Sequence, residues 1–273
     1  SFYLQGDIDF SDNWKMIIGG RLDSFDITVT DVKGSSEASR KDDMFSPRFG
    51  EIYKPVENMS LYASYSESFL PRSGEQFKAL SASSAALDPD VYESSEIGVK
   101  VALSDDLSLT AAYFDSEQTR ADRDSVTGET YEIVGLQVDG MELELKGSVS
   151  DSMDIVLGLT KMSGETAKGG EPREIPEYTA SLWATYEVND RFGIGLGITS
   201  QGESNIKNDK PGLILPDYTR VDFAAYYDLA DDLSIQLNVE NVTDELYFPH
   251  SHSTHQASVG EPLNARISLR KTF

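Results

Sequence analysis

The chain has 273 residues, no cysteine, and 23 Lys and Arg against 47 Asp and Glu, for a formal charge of −24. That balance argues against a nucleic-acid binder, which needs a basic stripe to neutralise phosphates. The missing thiols remove disulfide scaffolds, cysteine zinc sites and thiol nucleophiles. No apolar run reaches the roughly 18 residues of a helical membrane span, but a β-barrel strand needs apolar residues only at alternate positions.

The N-terminal stretch SFYLQGDIDF already alternates, without the basic start or apolar core of a signal peptide. Asn58–Ser68 then sets Met59, Leu61, Ala63 and Tyr65 against Ser60, Tyr62, Ser64 and Ser66. Asp106–Ser116 sets Leu107, Leu109, Ala111 and Tyr113 against Ser108, Thr110 and Ala112. In Tyr178–Val188 one face carries Tyr178, Leu182, Tyr186 and Val188. In Phe192–Thr199 the residues Phe192, Ile194, Leu196 and Ile198 oppose Gly193, Gly195, Gly197 and Thr199. Leu233–Glu240 puts Leu233, Ile235, Leu237 and Val239 opposite Ser234, Gln236, Asn238 and Glu240. The last segment sets Ala265, Ile267, Leu269 and Phe273 against Asn264, Arg266, Ser268, Arg270 and Thr272, with Lys271 interrupting the apolar side. A period of two predicts strands with one apolar and one wet face. The chain reads as all-β.

Short polar turns fall at Ser11–Asn13, Pro55–Asn58, Ser104–Asp106, Ser150–Ser152, Asn189–Asp190 and Ala230–Asp232. Longer loops rich in Gly, Ser and Lys are expected at 28–41, 69–90, 120–129, 166–174, 204–215 and 244–259. About thirteen strands result, each of about 9–14 residues, against the 5–6 usual in soluble folds. A soluble sandwich also alternates. It has no reason, however, to keep short turns at one end and long loops at the other, as a transmembrane barrel does. Paired end-tyrosines such as Tyr178 and Tyr186 suit the two membrane interfaces. A transmembrane antiparallel up-and-down β-barrel is the fold these features favour.

Several stretches resemble TonB-dependent siderophore receptors. They are FSPRFGEIYKP (45–55) followed by NMSLYASYSESFLPRSG (58–74), the LQ…W…GGRLD pattern within Tyr3–Asp23, VGLQVDGMELEL (134–145), and NVTDELY (241–247) followed by GEPLNARISLRKTF. Leu263 departs from that family, which often carries arginine after the G-x-P. The resemblance implies a barrel of about 22 strands in the outer membrane of a Gram-negative bacterium. It further implies an N-terminal plug and a TonB box. On that reading residues 1–273 are the C-terminal part of the barrel, starting near the tenth strand. They include no separate second domain, and plug and TonB box lie outside the chain. Short turns would be periplasmic and long loops extracellular. The implied activity is uptake of a ferric siderophore with TonB-supplied energy, not catalysis. Implied partners are the siderophore, outer-membrane lipid and TonB, with no covalent cofactor and no nucleic acid. The YFPHSH…GEP ending resembles catecholate-type receptors more than others. Alternatives are another cargo (haem, cobalamin or a glycan), a passive outer-membrane channel, or an outer-membrane hydrolase with a Ser/His pair.

Candidate ligand contacts follow from chemistry. PHSHSTH (249–255) holds all three histidines, and period-two spacing puts His250 and His252 on one side. With His255 they could bind a metal, contact a haem or serve as a pH-sensitive contact to a ligand. The plainer reading is a solvated Ser/His loop. Imidazoles without a nearby carboxylate partner make a weak metal site, so none is assigned. Arg72, Arg120, Arg123, Lys207 and Lys210 fall on expected extracellular loops and suit an anionic chelate. With Asp122, Asp124 and Asp209 among them they also read as mixed surface charge. Phe69, Tyr131, Tyr247 and Phe248 could stack on a planar chelate or belong to the upper aromatic girdle. SPRFG (46–50) reads as wall bends rather than ligand contacts. Gly193, Gly195 and Gly197 read as room for the plug.

Overall fold

The computed structural model describes residues 1–34, 36–71, 88–123, 130–252 and 254–272, with side chains for all of these except 36, 120–123 and 130–132. Thirteen strands form one antiparallel sheet. They are β1 (Phe2–Ser11), β2 (Trp14–Asp31), β3 (Ser36–Val56), β4 (Met59–Leu70), β5 (Asp90–Ala102), β6 (Leu107–Arg123), β7 (Thr130–Ser150), β8 (Met153–Thr166), β9 (Tyr178–Asn189), β10 (Phe192–Gln201), β13 (Tyr218–Ala230), β14 (Leu233–Glu240) and β17 (Asn264–Lys271). Two small ribbons decorate the connections: β11 (Ser204–Asn205) with β12 (Ile214–Leu215), and β15 (His250–Ser251) with β16 (Ala257–Ser258). In the sheet each strand pairs with the next sheet strand in sequence, and every tight turn joins antiparallel partners. The residues fall into two compact units: 1–98 with 114–139 and 165–168, and 99–113 with 140–164 and 169–273.

In the first unit, register fixes the two faces. Gln5 lies opposite Gly19, Gly19 opposite Arg48, and Arg48 opposite Ser66, so one row crosses four strands on the polar face. The other face carries Leu4, Ile18, Leu22, Phe45 and Phe49, with Leu4 71% exposed. The second unit repeats the division. Leu196 lies opposite Ala184 and Phe223 on the apolar side, while Gly197 lies opposite Trp183 and Asp222 on the polar side. Ile267, paired with Leu237, is 69% exposed. A water-soluble sheet would cover such a face. Here, prolines and glycines apart, apolar burial among the described residues is confined to Met44, Leu215, Ala224 and Tyr247.

Aromatic pairs mark the short-turn ends of the apolar face. Trp14 meets Tyr53 at 5.2 Å between ring centres, and Phe192 meets Tyr227 at 6.5 Å. Both pairs are directly opposed across neighbouring strands. Rings with a polar edge suit the boundary between hydrocarbon and water.

The short turns lie where the alternation predicts them, but the strands run further into them than expected: β1 through Ser11, β3 through Val56, β7 through Ser150, β9 through Asn189 and β13 through Ala230. The Asn189 side-chain Oδ1 accepts the N–H groups of Arg191 and Phe192 at 3.0 and 3.1 Å. The long loops need more correction. Residues 28–41 are not a loop. β2 and β3 continue to Asp31 and from Ser36, with Thr28 opposite Ser39 and Val29 opposite Ala38. The β-branched run Ile27–Thr30 sustains the strand, and the Asp31 carboxylate accepts the Lys33 N–H at 2.9 Å to close the turn. Strands therefore span 8 to 21 residues, a wider range than expected. Residues 204–215 and 244–259 contain the two ribbons. β6 runs through Arg123, so the expected loop 120–129 gives up its first four positions to the strand, while β7 starts at Thr130 as the expected boundary requires.

The glycine-rich face of β10 also has a local explanation. A Cβ at Gly197 would sit 2.8 Å from the Trp183 ring, and one at Gly195 would sit 2.9 Å from it. The room these glycines leave is filled by the neighbouring indole.

Candidate functional site

On the polar face of the first unit lies a cavity of about 710 Å³, within the usual range for ligand pockets. Gln5, Arg21, Asp23, Arg48, Ser66 and Phe69 contribute to its wall. Side chains two apart in a strand share a face, so an Arg-x-Asp sequence can close an ion pair within one strand. Arg21 does so, donating from Nε and Nη2 to the two Asp23 oxygens at 2.7 and 2.9 Å. Arg40 repeats it with Asp42 at 2.6 Å, and Arg220 with Asp222 at 2.8 Å. These three cations are already neutralised. Arg48 is exposed and, among the described residues, its guanidinium has neither ion pair nor hydrogen bond. It is the cation this wall leaves available to an anionic group.

In the second unit the connection between β14 and β17 is built around Asn241, which is fully buried. Its backbone N–H donates to Asp222 Oδ1 at 2.8 Å, its Nδ2 donates to the carbonyls of Glu245 and Glu261, and its Oδ1 accepts the Glu245 N–H. Asp244 Oδ1 accepts the Leu263 N–H at 2.9 Å. Both ends of the 241–263 segment are thereby stapled together. Asn241 and Asp244 each have a φ of 52°, a left-handed conformation that Asn and Asp tolerate better than most residues. Tyr247 is only 6% exposed. It stacks on Tyr218 at 4.7 Å, accepts a hydrogen bond from Arg220 Nη1 at 3.2 Å, and lies where a Cβ on Gly260 would collide with its ring. Tyr247 is thus an internal support of the loop and not a rim aromatic.

A second clasp ties this loop to residues 171–175. Glu174 Oε1 accepts the Ser251 N–H at 2.7 Å while Oε2 accepts Arg173 Nη2 at 3.0 Å. Burial pushes the Glu174 carboxyl up, but the Ser251 N–H and the Arg173 guanidinium outweigh it and hold the group below its ordinary value. Asn205 Nδ2 donates to Glu171 Oε2 at 2.6 Å, and the Arg173 N–H donates to Asn208 Oδ1 at 2.8 Å.

The sequence candidates are distributed over both units. Phe69 lines the cavity with Arg48. Arg72 lies outside the described residues. Arg120 and Arg123 sit on the end of β6, where loop positions were expected, and Tyr131 sits on the start of β7; the side chains of all three lie outside the description. Phe248 is half-buried beside Tyr247. His250 stays in the ribbon opposite Ser258, while His252 begins the turn and its Nδ1 meets His255 Nε2 at 3.3 Å. The pair brought together is therefore His252 with His255, and not the period-two pair. Arg21 and Arg48 were visible as polar-face positions of GGRLD and SPRFG, but alternation alone does not reveal which cation is left unpaired.

The sequence model of the family described as TonB dependent receptor-like, beta-barrel matches residues 1–242. A probable TonB-dependent siderophore receptor, PiuA of Acinetobacter baumannii, is 29% identical over 98% of this chain and 40% of its own length. The ferripyoverdine receptor of Pseudomonas aeruginosa is 28% identical over 99% of this chain and 35% of its own length. The crystal structure of the A. baumannii siderophore receptor PiuA superposes with a TM-score of 0.84 at 27% identity, covering 98% of this chain and 42% of that one. The chain thus spans about 40% of the length of these relatives, which are receptors by name and not enzymes. An amphipathic thirteen-strand meander matched by that family over residues 1–242 makes this chain a member of the TonB-dependent receptor β-barrel family.

Proposed function

We propose that this chain forms wall and extracellular loops of an outer-membrane receptor that takes up a ferric siderophore, with energy supplied through TonB. The observation that carries the reading is the match, over nearly the whole chain, to receptors named for siderophores. The exposed apolar face fits contact with lipid, and the polar face then fits a lumen. All 273 residues would belong to the barrel portion. The remaining length of the full receptor would supply a plug and the segment that TonB grips.

Arg48 and Phe69 suit the anionic and planar parts of an iron chelate, through a charge-assisted hydrogen bond and a stacking surface. Arg72, Arg120, Arg123, Tyr131 and Phe248 are further contacts of the same chemical kind. Within the siderophores, the C-terminal YFPHSH…GEP ending favours the catecholate class.

Titrating the full-length receptor with a ferric catecholate, a ferric hydroxamate, haem and cobalamin tests this directly. The expected result is binding of a ferric siderophore, tightest for the catecholate. Arg48→Ala should weaken it by about tenfold, the value of one hydrogen bond to a charged group. Binding of haem or cobalamin alone would contradict the assignment. Preference for the hydroxamate would overturn the catecholate class but keep the receptor.

A further inference from the structure

We propose that His252 and His255 form a two-donor site for a divalent transition-metal ion of the zinc type, on the loop between β14 and β17. Nδ1 of His252 and Nε2 of His255 lie 3.3 Å apart, with the rings 84° to one another and their centres at 5.2 Å. A tetrahedral centre with metal–nitrogen bonds of about 2.0–2.1 Å separates its donor nitrogens by about 3.3–3.4 Å. The two imidazoles already hold that edge of the tetrahedron. Neutral imidazole is a donor suited to zinc, nickel and copper.

The backbone beneath the pair is fixed rather than free. β15 and β16 pair His250 with Ser258 and Ser251 with Ala257, and the His252 N–H donates to the Gln256 carbonyl at 2.8 Å. Glu174 anchors the neighbouring Ser251 N–H at 2.7 Å. A metal ion would therefore meet donors whose ordering cost has largely been met in folding. Both rings are exposed, so an ion can reach them and keep coordination positions open to water or to the oxygens of a bound chelate.

Charge favours the cation as well. Residues 241–263 contain Asp244, Glu245 and Glu261 but no lysine or arginine, in a chain of net charge −24. Among the described residues no group of three or more His, Asp or Glu is arranged to hold a metal, so the site has two protein donors. Without metal the pair is joined by one N–H···N hydrogen bond. With metal, both facing nitrogens offer lone pairs, and the protons sit on Nε2 of His252 and Nδ1 of His255. A neutral pair makes that change by moving one proton between ring nitrogens, with no change of charge.

Isothermal titration of Zn²⁺ into the full-length receptor in detergent, beside His252→Ala, His255→Ala, the double variant and His250→Ala, tests the site. One equivalent should bind to the wild type and be missing from the double variant. Each of the two single substitutions should weaken it by more than about tenfold, and His250→Ala should leave it unchanged. Spin-echo spectra of bound Cu²⁺ should show two coordinated imidazoles. Equal zinc uptake by wild type and double variant, loss of binding in His250→Ala, or a one-imidazole spectrum would overturn the proposal.

Discussion

Asn241 satisfies four polar groups at once, and its substitution exposes what the loop costs to hold. Asn241→Ala takes from the Glu245 and Glu261 carbonyls the donor that Asn241 supplies and puts a residue with a Cβ and no local hydrogen bond at a φ of 52°. The expected loss is about 3–5 kcal/mol, read by thermal unfolding of the receptor in detergent. Glu174 gives a pH-dependent counterpart. Its carboxyl is held below its ordinary value in the folded protein. The clasp's contribution is therefore complete above the ordinary carboxylate range and is lost as pH falls through the lowered value. Hydrogen exchange of the Ser251 amide, corrected for its intrinsic pH dependence, should accelerate on that descent. In Glu174→Gln it should be about fivefold faster at neutral pH, and pH should no longer change it. At this scale the sequence was least legible. NVTDELY could be matched as a motif, but that Asn241 staples the loop and Tyr247 lies inside it depends on contacts between residues about 20 positions apart. Likewise, three histidines in seven residues do not reveal which two converge.

Strands were legible because polarity alternates with every residue, and that alternation is written directly in the sequence. Phe192–Gln201 shows both sides of it: Ile194, Leu196 and Ile198 on one face, and glycines under Trp183 on the other. The two faces face different solvents in this account, so one substitution type separates them. Leu196→Arg should destabilise the folded receptor in detergent or lipid by about 2–4 kcal/mol, and Ser181→Arg, on the polar face of β9, by less than about 1. Equal effects in a denaturant titration would remove the lipid assignment of the apolar face. Loop boundaries were harder to read. Between 28 and 41 the composition turns to Ser, Lys and Gly, the signature of a loop, while Ile27, Val29 and Ala38 preserve the period that continues the hairpin. Composition and period disagreed there, and cross-strand hydrogen bonding followed the period.

For the whole molecule, a hydrophobic content of 39% and a charge of −24 would suit a soluble acidic protein. The sheet gives them another meaning, because its strands put exposed apolar side chains on one face and polar residues on the other. Family membership was legible from ordered motifs along the chain, and the family match covers residues 1–242. The cargo was not, since it depends on a few side chains at the cavity and loop tips and on the rest of a receptor of which this chain spans about 40% in its relatives. The central claim is uptake, and it is tested by following ⁵⁵Fe-siderophore entry into iron-starved cells that carry the full-length receptor gene or its deletion, with and without functional TonB. The account predicts accumulation that requires both the receptor and TonB. Accumulation unchanged by deleting the receptor, or undiminished without TonB, would contradict it.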